Sequence, residues 1–83
     1  MFEQWLTCRI LRGMFSDEMV VEVRSKEGQT AFFFVPKDRV MGAPEETGKV
    51  KVQTFRRGQN TWVVLPTENH ETISVQDGDL AAL

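Results

Sequence analysis

The chain has little with which to do covalent or metal chemistry. Among 83 residues there is one cysteine, Cys8, and one histidine, His70. A single cysteine excludes an internal disulfide and fits a reducing cytoplasm. His70 lies in "PTENHET" with Glu68 and Glu71 near it, a spacing that matches no zinc pattern. It reads as a solvated loop residue. Cys8 alternates with Leu6 and Ile10, which makes it an inert buried thiol rather than a nucleophile with His70 as its base. The six glycines are scattered singly, so nothing resembles a phosphate cradle. Asp77 and Asp79 bracket Gly78, and "QDGD" reads as a turn. No apolar run approaches the ~20 residues that span a bilayer. The opening "MFEQWLTCRILRG" lacks the basic start and apolar stretch of a signal peptide. No acid, base and nucleophile converge, so the expectation is a protein without enzymatic activity, cofactor, metal or membrane segment.

What is present is strand-forming. Apolar residues make up 41% of the chain, an ordinary globular share, and the length suits a single β domain over 1–83. "WLTCRIL", "MVVEVRS", "TAFFFVP", "KVKVQTF", "TWVVLP" and "TISVQ" are short and rich in β-branched and aromatic residues. Glycines lie between or after these runs, and Pro36 and Pro66 each close one. The longest connection, "KDRVMGAPEETG", has room for about one helical turn near Asp38 to Met41 before Gly42 and Pro44. The fold class is therefore all-β, a small five- to six-stranded antiparallel barrel or sandwich built from hairpins. An SH3-like architecture is favoured over an OB-fold, whose helix would have to come from that connection.

Two stretches share a plan, "VEVRSKEGQTAFFFVP" and "VKVQTFRRGQNTWVVLP": Val-x-Val, a Gly-Gln turn, then an apolar strand ending at proline. The second has one more residue before its glycine. In the first, a two-residue loop Glu27-Gly28 would set Val23 opposite Phe32 and Val21 opposite Phe34 in the core. Arg24 with Ala31, Glu22 with Phe33, and Val20 with Val35 would then face outward. In the second, a three-residue loop Arg57-Gly58-Gln59 would place Val52 with Val64 and Thr54 with Trp62 inside. Lys51 with Leu65, Gln53 with Val63, and Phe55 with Thr61 would lie outside. A four-residue loop from Gly13 to Ser16 would bring Leu6, Cys8 and Ile10 against Val23, Val21 and Met19, with Trp5 outward beside Arg24.

On this register both hairpins carry apolar residues outside, where a simple barrel has only one interior. The loop 37–48 or the tail "LAAL" could cover them, or they could form an interface. The candidate protein interface is Trp5, Val20, Phe33, Val35, Val63 and Leu65. The expected function is a protein–protein interaction or assembly module, with self or another protein as partner and a homodimer among the options. The competing reading is single-stranded nucleic acid, RNA in particular, bound along "KVKVQTFRRGQ". There Lys49, Lys51, Gln53 and Phe55 share a strand face, with Arg56 and Arg57 at its tip. Basic groups beside an exposed aromatic can track phosphates and stack a base. The formal net charge of −2 weighs against it.

Overall fold

The computed structural model describes residues 1–12 and 17–83. The expected loop from Gly13 to Ser16 lies outside them. Every strand run read from the sequence forms a strand: β1 (Phe2–Leu11), β2 (Glu18–Arg24), β3 (Thr30–Pro36), β5 (Thr47–Arg57), β6 (Asn60–Val64) and β7 (Thr72–Val75). Two short strands join them, β4 (Val40–Met41) and β8 (Leu80–Ala82). A 3-10 turn precedes each of these, at Lys37–Arg39 and Asp77–Asp79. The first is a single turn in the long connection, as expected, but it ends at Arg39: Val40 and Met41, expected within the turn, form β4 instead; the second is "QDGD".

All pairings are antiparallel, and the sheet runs β3-β2-β1-β5-β6-β7. It curls into a half-barrel around one apolar cluster. Leu6, Cys8 and Ile10 of β1, Val21 and Val23 of β2, and Val50 and Val52 of β5 point into it, as expected. β4 lies along β5 and β8 along β1. The "LAAL" tail therefore extends the sheet rather than lying across its outer face.

The structure contains a repeat, though not the one the sequence suggests. Leu6 and Val50 pair with each other across β1 and β5; at their other edges lie Leu80 and Val40. Met19–Val35 and Val21–Phe33 across β2 and β3 match Thr61–Val75 and Val63–Ile73 across β6 and β7. Val35 and Val75 are both buried and each precedes a 3-10 turn, whose C-cap is Val40 or Leu80. Each half is thus a three-stranded meander, a 3-10 turn and a short strand that pairs with the other half's first strand. The two halves meet at the β1–β5 seam about an approximate two-fold axis. The sequence likeness had equated β2–β3 with β5–β6, which are not equivalent hairpins.

Both hairpin loops differ from expectation by one residue, in opposite directions. At the first, Ser25 N–H donates to Gln29 C=O (2.7 Å), and Gln29 N–H donates back to Ser25 Oγ (3.1 Å). Gly28 takes φ 88°, so the loop is Lys26-Glu27-Gly28. At the second, Arg57 pairs with Asn60, leaving a two-residue loop with Gly58 at φ 63°. A one-residue slip flips every side chain of the following strand. Phe33 and Val35 are therefore buried while Phe32 and Phe34 are exposed, the reverse of the expected faces. Val63 and Leu65 are likewise core residues, and Val64 and Trp62 turn outward. β1 also pairs with β2 two residues away from the expected register (Arg9 with Glu22), a shift that keeps every face.

Gly48 makes the seam possible. A Cβ there would collide with the Ile10 side chain and the Met41 carbonyl. Its absence lets β4 and the Ile10 side chain close over β5.

Candidate functional site

Four of the six expected interface residues are in the core: Phe33, Val35, Val63 and Leu65. They form no interface, because the loop lengths put them on the inner face. Val20 stays outside and half-buried, opposite Phe34. Trp5 is also half-buried and outward, but its neighbour is Lys51, not Arg24. The Lys51 ammonium lies 5.7 Å from the Trp5 ring centroid, within cation–π range.

Among the described residues, the outer face of the first half carries two neighbouring exposed phenylalanines. Phe32 is 58% exposed and Phe34 50%. Glu22 and Val20 lie opposite them on β2, with Leu11 beyond Val20 on β1. Among the described residues β3 pairs only with β2, so its far side is an open edge. The ladder geometry fixes what that edge offers. Ser25 N–H bonds Gln29 C=O, and Lys37 N–H bonds Asp17 C=O. Bonded and non-bonded pairs alternate along an antiparallel ladder. The odd-numbered residues of β3 therefore bond β2, and Thr30, Phe32 and Phe34 turn their N–H and C=O groups to the open edge.

The equivalent face of the second half is covered. There Phe55, Trp62 and Ser74 stand where the first half has Leu11, Val20 and Phe34. The Lys26-Glu27-Gly28 loop folds over this edge. Lys26 N–H donates to the Ser74 carbonyl (2.7 Å), and the Ser74 hydroxyl donates to the Glu27 carboxylate (3.1 Å). The Lys26 ammonium donates to Asn60 Oδ1 (3.0 Å). Ser74 is consequently buried, and Trp62 is half-buried with its Nε1 shielded from solvent. The corresponding loop of the second half, 66–71, bonds to itself and to Leu65. Among the described residues it makes no backbone hydrogen bond to β3.

The basic stretch is partly assembled. Lys49, Lys51 and Gln53 lie on one face of β5, opposite Thr7, Trp5 and Glu3 of β1. Arg39 joins them, donating to the Lys51 carbonyl (3.5 Å) and lying 3.9 Å from Glu3. Phe55 is opposite Trp62, a strand away from Trp5, and it is half-buried. Arg56 sits on the other face near Asp77 (4.0 Å), and Arg57 closes the hairpin tip. The aromatic beside the lysines is therefore Trp5. It comes from a strand distant in sequence, and only the β1–β5 pairing could have revealed it.

Cys8 is buried, and burial pushes its thiol pKa up to about 11. His70 is exposed and rims a recess of about 190 Å³ with Arg39, Lys51, Gln53 and Pro66. Among the described residues no three of His, Cys, Asp and Glu converge on a common point. Among the described residues no helix is long and apolar enough to cross a membrane. No protein-family model matches the chain, and no curated protein or solved structure is significantly similar to it.

Proposed function

We propose that this chain is a non-catalytic, SH3-like β-barrel module that binds protein in the cytoplasm, using the outer face and open edge of β3. The observation that carries this reading is the coincidence of three features at Phe32 and Phe34. Their side chains are exposed, their backbone donors and acceptors point outward, and among the described residues their strand has no neighbour on that side. An extended segment added there gains main-chain hydrogen bonds, and the two rings supply apolar area for selectivity. Selecting a displayed peptide library on the wild type, with counter-selection on Phe34→Lys, tests it. Extended apolar peptides that fail to bind Phe34→Lys are the expected outcome. Equal recovery on both proteins refutes it.

A second reading has its own observation, the Lys49, Lys51 and Trp5 surface across β5 and β1. Single-stranded RNA bound there would release counterions from phosphates, so affinity for an oligouridine would fall with a log–log salt slope of about 0.7 per neutralised phosphate. Lys49→Glu with Lys51→Glu should abolish the binding, and Trp5→Ala should weaken it at every salt concentration. No binding by wild type at low salt removes this reading.

A further inference from the structure

We propose that two copies of this chain associate by pairing their β3 strands edge to edge, antiparallel, about a two-fold axis beside Phe33. Phe32 of each copy then lies opposite Phe34 of the other. The proposal deepens the protein-binding reading by naming the partner, and it rests on that reading.

The edge is complementary to itself. Its outward-facing residues Phe32 and Phe34 are two apart, so reversing the strand exchanges one for the other. Each opposed Phe32–Phe34 pair becomes a hydrogen-bonded pair, because both residues already turn N–H and C=O outward. Aromatic residues opposite one another across an antiparallel pair are favourable. No residue from Gln29 to Pro36 is charged. Lys37 of one copy falls opposite Gln29 of the other, so like charges do not oppose one another. Protected sheet edges carry lysines, an inward charge or a covering loop, and among the described residues β3 has none of these along its length. Pro36, which has no N–H, ends the usable edge and fixes where pairing stops.

The second half shows what the fold does when such an edge is satisfied. Ser74 stands where Phe34 does, and a loop of the chain itself supplies an N–H to its carbonyl at 2.7 Å. In the first half that carbonyl position belongs to Phe34, and the second copy supplies the donor.

Area sets the strength. The exposed parts of Phe32 and Phe34 offer roughly 200 Å² per copy, against about 800 Å² per partner in a standard interface. The dimer is therefore weak and reversible, and it forms toward the high end of protein concentration.

Sedimentation equilibrium from low micromolar to millimolar concentration tests the proposal on the full chain. The weight-average mass of wild type should climb toward twice the monomer. Phe32→Lys should stay monomeric, since it sets a charge opposite a phenylalanine. Phe32→Pro should also stay monomeric. It removes only an outward N–H and leaves the β2–β3 ladder intact, as an unchanged circular dichroism spectrum would verify. Where the proline disturbs the strand, Phe34→Lys takes its place. A wild type that remains monomeric at millimolar concentration overturns self-pairing, and the peptide selection then decides separately whether β3 binds another protein. A dimer that persists in Phe32→Lys and in Phe34→Lys also overturns it.

Discussion

The two halves of this molecule share a topology and differ in how each finishes its outer surface. In the second half a loop borrowed from the first bonds Ser74 and Asn60, beside the half-buried Trp62. In the first half Val20, Phe32 and Phe34 have no such cover among the described residues. The difference comes from the loops. Lys26-Glu27-Gly28 is short, tied by Ser25, and projects its N–H and carboxylate toward β7. The 66–71 loop spends its bonds on itself, Leu65 N–H to Glu71 C=O and His70 N–H to Thr67 C=O. A near-symmetric architecture thus carries an asymmetric surface.

Several changes would break or sharpen this contrast. The largest effect belongs to the inner face common to both halves. Phe33→Ala should cost about 3–5 kcal/mol, enough to threaten a domain of this size. Phe34→Ala, one residue away, should change stability by less than about 1 kcal/mol. Urea midpoints for the two variants check this, and similar shifts would mean that the β2–β3 register is wrong.

Next comes Cys8, whose counterpart in the second half is Val52. With its pKa raised from 9.0 to about 11 by burial, the native thiol holds about a hundredfold less thiolate at neutral pH. Labelling by a thiol reagent should be at least that much slower in the native state than in denaturant. The folded pKa lies above the unfolded one, so the protonated thiol favours the native state. That contribution is intact below pH 9 and is lost as the pH rises toward 11. Cys8→Val should remove that alkaline loss while keeping the core filled. An unchanged pH profile in the variant would assign the loss to other groups.

A smaller effect tests the loop that covers the second half. Glu27→Ala removes the acceptor of the Ser74 hydroxyl at an exposed site and should cost about 1 kcal/mol. It should also raise the exposure of Trp62, seen as a red shift of its emission. Trp5 is present as a second emitter, so the comparison is made in a Trp5→Phe background. No spectral change would mean that the loop does not shield Trp62.

Much of the fold was legible in the sequence, because strand runs, turn residues and the alternation in β1, β2 and β5 are local signals. Leu6, Cys8 and Ile10, and Val50 and Val52, declare their face without help from a partner. The face of β3 was not legible in the same way. "AFFFV" is apolar on both sides, so its orientation rests wholly on the length of the preceding loop. The one cue was Ser25, whose hydroxyl accepts from Gln29 N–H and selects the three-residue form. β6 failed for the same reason, since "TWVVL" also reads as apolar on either face and Gly58 opens a two-residue loop. The candidate site moved with these strands, from Phe33 and Val35 to Phe32 and Phe34. β4 and β8 were missed because strands of two and three residues carry almost no pattern, and their pairing depends on the seam. The pairing of Trp5 with Lys51 depends on the seam in the same way.

That seam also governs time. The hairpins within each half close over a few residues, whereas Leu6 must find Val50 across about half of the chain. Local pairing precedes distant pairing, since loop closure is penalised by separation. The seam therefore carries the larger closure cost, and the first strand of each half fits that of the other. Exchange between two molecules in crowded refolding would need only residues 42–46, which join β4 to β5, to open. A dimer exchanged at the seam would come apart only as fast as the protein unfolds, whereas copies joined at β3 would separate on simple dilution.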